Sequence, residues 1–292
     1  MSKRTTAELL LVLITLIWGA TFVVVKGALS DASPLPFIAL RFTLAGTLLL
    51  VLLARGHIER KAWVPGLTLG LSLWLGYAGQ TSGLVYTTPS KSAFITGFSV
   101  ILVPLLMVFW GFRLRAASLA GGAFGLAGLY LLVTPSGPSG IIRVNRGDLL
   151  VLLGSVAFAF HIVLVGVYTR RVSFLHLVPV QILTVGVLAA VAWLFSPGQV
   201  LHATGRLIVA LLVTAVLATA FAFSVQNWAQ QFTPPAHTAL IFALEPVFAA
   251  ITSRVVLGEH LGKRVLIGSG LILAGMVFSE IWGGAAPTPV EG

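Results

Sequence analysis

The sequence predicts an all-α integral membrane protein with ten transmembrane helices arranged as two inverted five-helix repeats. Three observations carry that expectation: a composition too apolar for a water-covered surface, ten apolar runs of membrane-spanning length, and an internal repeat. Of 292 residues, 58% are hydrophobic and 9% are charged, and the mean hydropathy is +1.02. A soluble protein of this size needs far more polar surface.

The runs fall at 8–28, 36–54, 66–86, 92–112, 116–134, 147–169, 174–195, 206–230, 236–257 and 262–282. At 1.5 Å rise per residue, each is long enough to cross roughly 30 Å of hydrocarbon. Turn formers separate them: SDASPLP at 30–36, TTPS at 87–90, TPSGPSG at 134–140, SPG at 196–198 and TPP at 233–235. The first run is too long for the apolar part of a signal peptide, so it reads as a span. The small, Pro-rich tail after Trp282 reads as disordered. Cysteine is absent, which excludes disulfides, thiolate chemistry and Cys-ligated metals.

The repeat is visible in fixed offsets. LLVL at 10–13 returns at 149–152, and in that register Ala20, Val24 and Gly27 meet Ala159, Val163 and Gly166. Gln80, Thr87, Pro89, Ala93 and Ile95 meet Gln226, Thr233, Pro235, Ala239 and Ile241 at an offset of 146. Gly121 and Gly128 meet Gly268 and Gly275 at 147. The halves are 1–135 and 141–292, with a linker at 136–140. Five spans return the chain to the opposite side, so the second half is upside down relative to the first. Inverted halves are the design of many secondary transporters, whose site lies near the midplane between them.

Charge sets the expected orientation. The net charge is +10, but the basic residues sit between apolar runs, where they meet lipid headgroups rather than nucleic acid. Lys3, Arg4, Arg55, Arg60, Lys61, Arg113 and Arg115 fall on one side of the first half, against Lys91 on the other. The positive-inside rule makes that side cytoplasmic, and an even span count puts both termini there. The second half conflicts, with Arg143, Arg146, Arg206, Lys263 and Arg264 on the outer side.

LIWGATFVVVKG (16–27), PFIALRF (36–42) and EPVFAAITSRVVLGEHLGKRVLIGSGLILAGMVF (245–278) resemble EamA-type members of the drug/metabolite transporter superfamily. The resemblance covers nearly the whole chain. It implies ten helices in two inverted repeats in the inner (plasma) membrane, and export of amino acids or related metabolites, with drug or hydrophobic-cation export as the alternative. One departure is the first-half counterpart of Leu257, Gly258 and Glu259, where Gly111, Phe112 and Arg113 lack the acid.

Candidate site residues follow from polar groups inside apolar helices, which are costly and therefore functional or paired. Glu245 lies near the middle of the ninth run. Pro246 has no N–H, so the carbonyl of Phe242 loses its helical partner. The pair suits an ammonium group or a proton; the competing reading is a protonated carboxyl holding a neighbouring helix. Pro104 loosens the fourth run around Val100 in the same way, so Pro104 and Pro246 are candidate hinges. Tyr77, Gln80 and Thr81 share one face of the third run, and Phe223, Gln226 and Asn227 one face of the eighth. Both faces either line a cavity or bond between helices.

His161 is a packed histidine or a proton carrier, and Trp18 is a core residue or a stacking platform. Phe94 adds an aromatic wall. Lys26 and Arg41 read as snorkelling or as pairing with Asp31, and alternatively as ligands for a substrate carboxylate. The expected partners are a small-molecule substrate and the lipid bilayer. No cofactor or metal is implied. No paired intramembrane aspartates, H-E-x-x-H, G-x-S-x-G or Walker motif occurs, so an enzyme or ATP-driven pump is not expected. A passive channel or scaffold remains the distant alternative.

Overall fold

The computed structural model describes residues 2–111, 116–133, 145–257 and 263–283. The 136–140 linker, Gly258, Glu259, Arg113, Arg115, Arg143 and the tail lie outside the described residues. Among those described the chain is helical and has no β-strand; one isolated bridge pairs Ala32 with Leu201.

Thirteen α-helical segments are described: α1 Lys3–Ala28, α2 Pro34–Leu52, α3 Trp63–Leu84, α4 Pro89–Thr96, α5 Ser99–Met107, α6 Ala116–Val133, α7 Arg146–Tyr168, α8 Phe174–Leu194, α9 Gly205–Ala215, α10 Ala222–Ala229, α11 Pro235–Phe242, α12 Glu245–Leu257 and α13 Lys263–Gly283. Among the described residues seven helical stretches are long and apolar enough to cross a membrane: Lys3–Ala28, Pro34–Leu52, Pro89–Trp110, Arg146–Tyr168, Phe174–Leu194, Gly205–Ala229 and Pro235–Val256. Many large apolar side chains are open to the surroundings. Phe109 is 82% exposed and Leu194 81%, a surface that suits lipid and not water.

The helix starts are written in local sequence. Pro34, Pro89 and Pro235 occupy first-turn positions, where a missing N–H costs nothing. Asn145 and Asp148 form a capping box on α7. The Thr204 hydroxyl accepts from the Leu207 N–H at 3.1 Å to cap α9.

Within the bundle α2 packs along α8, α3 along α7 and α8, α1 along α12, and α6 along α13. Glycines permit the closest crossings. A methyl group on Gly79 would lie 2.6 Å from the Leu150 carbonyl, and one on Gly154 2.7 Å from the Gly76 carbonyl, so α3 and α7 meet backbone to backbone.

Three runs expected as single helices are interrupted. The stretch 89–110 breaks at Gly97 and Phe98, and 235–257 breaks at Ala243 and Leu244. Both breaks are made alike. Gly97 N–H bonds the Ala93 carbonyl and Phe98 N–H the Ile95 carbonyl; Ala243 N–H bonds Ala239 and Leu244 N–H bonds Ile241. Every one of these pairs is displaced by 146 positions. In each break one bond tightens from a four-residue to a three-residue reach.

In the second break Pro246 supplies the cause, since it cannot bond Phe242. In the first, Pro104 lies inside a continuous α5 and the interruption falls at Gly97, upstream of the expected Val100. The third interruption is a π-helical turn, Val216–Phe221, between α9 and α10.

Candidate functional site

A cavity of about 80 Å³ opens between α1, α2, α3, α7, α10 and the two broken stretches, with room for several waters or a small solute. Trp18, Tyr77, Gln80, Thr81, His161, Phe223, Gln226 and Glu245 all line it. Phe94 and Asn227 do not. Phe94 meets Phe98 edge to face, at 5.5 Å between centroids. Asn227 is fully buried beside α8, where its Oδ1 accepts from Gln181 Nε2 at 3.1 Å and its Nδ2 donates to the Phe223 carbonyl. The eighth run thus presents Gln226 to the cavity and turns Asn227 away from it.

The walls are fixed by bonds behind them. Trp18 donates from Nε1 to the Ala218 carbonyl at 2.9 Å and packs against Phe223 and Phe242. Gln80 donates to Thr96 Oγ1 at 3.0 Å, tying α3 to the end of α4. His161 Nε2 sits 2.8 Å from Gln181 Oε1, so the ring is buried and hydrogen-bonded.

Gln226 is oriented by a chain of constraints. Gln230 must donate its amide nitrogen to the Ile162 carbonyl, at 2.8 Å. Its oxygen therefore accepts, and Gln226 Nε2 donates to it at 3.0 Å. What remains is Gln226 Oε1, buried and without a partner, on a residue that lines the cavity. Glu245 begins α12, and its carboxyl has no hydrogen bond or ion pair among the described residues.

Lys26 and Arg41 differ from their expected pairing. Lys26 donates to the carbonyls of Leu84, Val85 and Thr87 at 2.6 to 3.1 Å, where a cation complements the C-terminus of α3. Arg41 does not snorkel: it is 4% exposed and lines the cavity. Asp31 pairs instead with Arg206, at 2.7 Å to Nη2, and accepts from Thr204 Oγ1 at 2.7 Å. The hydrogen bonds from Arg206 and Thr204 hold the Asp31 carboxyl down at about 2.

Arg41, five residues past Pro36, reads first as interfacial and second as a ligand for a substrate carboxylate; the structure seats it at the cavity. Ser99, also at the cavity, was within reach: the 146 offset applied to Glu245 points to it.

The fold and this cavity define a multi-pass helical membrane protein with a polar and aromatic interior site. The chain belongs to the EamA-like transporter family, which it matches at residues 5–134 and 145–280. It is similar to a protein of Archaeoglobus fulgidus described as an uncharacterized transporter, at 34% identity over 96% of this chain and 87% of that one. The uncharacterized inner membrane transporter YedA of Escherichia coli is 28% identical over 90% of this chain and 86% of its own length. A solved crystal structure superposes with a TM-score of 0.78 over 95% of this chain and 97% of that chain, at 21% identity. It shares the fold.

Proposed function

We propose that this protein is a secondary carrier of ten spans, built from inverted halves 1–135 and 141–292, that moves amino acids or similar small metabolites out of the cell by alternating access. The interrupted stretches count as single spans, with α3, α6 and α13 completing the ten. Both termini face the cytoplasm. Support for the halves comes from the paired breaks at 97–98 and 243–244. It also comes from a reciprocal crossing: Gly128 packs on the Gly268 carbonyl and Gly275 on the Gly121 carbonyl. Both breaks border the cavity, through Gly97, Ser99, Phe242 and Glu245, and they are the hinges of the cycle, with Pro246 holding the second open.

The observation that carries the substrate reading is the lining itself. Amide and hydroxyl groups on Gln80, Thr81 and Gln226 stand beside Trp18, Tyr77 and Phe223, so one end of a small solute is solvated and the other is packed. His161 contributes through its bond to Gln181. Export of hydrophobic cations is the second reading, favoured by the aromatic wall around Glu245 and opposed by the buried guanidinium of Arg41.

Counterflow in proteoliposomes tests the choice. Saturable exchange of a labelled amino acid, suppressed by unlabelled amino acids, is the expected result. Exchange of a hydrophobic cation but of no amino acid would replace this reading with the second, and flux without saturation would mean a channel.

A further inference from the structure

A charge buried in a membrane bundle is ordinarily paired with an opposite one. Arg41 has no ion pair among the described residues. Its Nε donates to Thr219 Oγ1 at 2.8 Å, and its Nη2 to the Ala218 carbonyl at 3.3 Å. The Tyr77 hydroxyl lies at 3.5 Å, and the rings of Phe42 and Tyr77 are 5.1 and 4.9 Å from its Cζ. Every partner is neutral, and Nη1 has none. The guanidinium is therefore held in position without being neutralised.

The π-helical turn makes this possible. Thr219 spends its one hydroxyl hydrogen on the Thr214 carbonyl, five residues back, at 2.8 Å. Its oxygen can then only accept from Arg41. The Ala218 carbonyl in the same turn accepts from both Arg41 and Trp18. Such turns recur at functional sites, and this one builds a seat for a cation whose remaining face is open to the cavity.

The same cavity holds the unpaired Glu245 carboxyl and the unpartnered Gln226 Oε1. A fixed cation and two acceptors around one space complement a zwitterion.

We propose that Arg41 is the carboxylate-binding pole of the site, and that Glu245 with Gln226 Oε1 is its ammonium pole. The site then requires a free α-amino acid and rejects both its amide and its deaminated acid. This assignment rests on the carrier reading above and adds the orientation of the substrate within it.

The test is competition against counterflow by the full-length protein in proteoliposomes. Each of the twenty proteinogenic amino acids is tried first, then the amide and the deaminated acid of the strongest competitor. In the wild type both analogues should compete roughly 10- to 100-fold more weakly than the parent. Arg41→Gln should weaken the amino acid by a similar factor and leave the amide within about threefold of its wild-type value. Arg41→Lys should restore part of the loss, because it keeps the charge without the planar fork. Glu245→Gln should spare the deaminated acid instead.

If the amide competes as well as the parent amino acid in the wild type, the assignment of Arg41 falls and the carrier reading stands. That comparison needs no variant to fold. If none of the twenty competes, the amino-acid reading falls and takes this assignment with it.

Discussion

The two broken stretches, 89–110 and 235–257, share a backbone and differ in chemistry. Their helices start and stop 146 positions apart, from Pro89 and Pro235 to Thr96 and Phe242, and resume at Ser99 and Glu245. Each break brings the first turn of the following half-helix to the cavity. In one copy that turn carries a hydroxyl, and in the other a carboxyl. The proposed duplication would account for where the interruptions lie. Both breaks border the same cavity, so on the proposed function one ionisable group there would serve both.

Substitution at the two equivalent positions gives the largest expected contrast. Glu245→Gln keeps size and hydrogen bonding but removes ionisation. It should lower amino-acid exchange by roughly 100-fold with folded protein still reaching the membrane, whereas Ser99→Ala should change it by less than about threefold. Equal losses at both positions would mean that the breaks matter as backbone and not as chemistry.

A smaller effect is expected where α1 crosses the second break. A methyl group on Gly19 would stand 2.6 Å from the Glu245 carbonyl and 2.8 Å from Phe248 Cβ, while one on Gly27 would meet nothing within 4 Å. Gly19→Ala should push α12 off α1, lowering exchange by about tenfold and reducing the melting temperature in detergent. Overpacking of this kind typically costs about 1–3 kcal/mol. Gly27→Ala, about two turns further along α1, should be neutral. If Gly19→Ala is also neutral, the α1–α12 crossing does not position Glu245.

Ion pairs stand at the starts of both broken stretches. Beside α4, Lys91 pairs with Asp148 at 2.6 Å, Thr87 donates to Asp148 at 2.8 Å, and Asp31 pairs with Arg206. Beside α11, His237 stands 3.5 Å from Glu8. Removing the Asp31 charge should loosen the end beside α4, and Asp31→Asn should alter exchange by a fewfold.

The pH dependence follows from the depressed pKa of Asp31. Its contribution is fully present above the ordinary value near 3.8 and is lost as pH falls toward about 2. The difference in melting temperature between wild type and Asp31→Asn should hold constant from pH 8 to pH 5 and shrink only below about 4. A difference that vanished between pH 7 and 5 would assign it to another group.

Much of this was legible in sequence because lipid leaves few choices. Long apolar runs, Pro at helix starts and amides inside helices each have a single cheap solution in a bilayer. Gln80 and Gln226 could be singled out for that reason. Pro246 marked its break because a missing N–H is a local fact, whereas Gly97 carries no such signature.

Arg41 reads first as interfacial, and as a substrate ligand only in the alternative, because its seat is made by Ala218 and Thr219, in a π-helical turn that apolar periodicity does not reveal. Asp31 was assigned to its sequence neighbours Lys26 and Arg41, yet its partner Arg206 comes 175 positions later. Lys26 found backbone carbonyls instead. Local rules read elements well and read pairings poorly, since pairing depends on which helices the bundle places side by side.

The proposed substrate site is the cavity at the two breaks. A chain without cysteine allows a direct measurement, because one introduced thiol is the only thiol. Thr81→Cys places it in the cavity wall, and Phe109→Cys, 82% exposed on the outer surface, serves as the reference. Labelling by a small thiol reagent is followed with and without a saturating amino acid that the protein exchanges. The amino acid should slow labelling at position 81 by about tenfold and leave position 109 unchanged. Equal labelling rates at position 81 with and without that amino acid would contradict it.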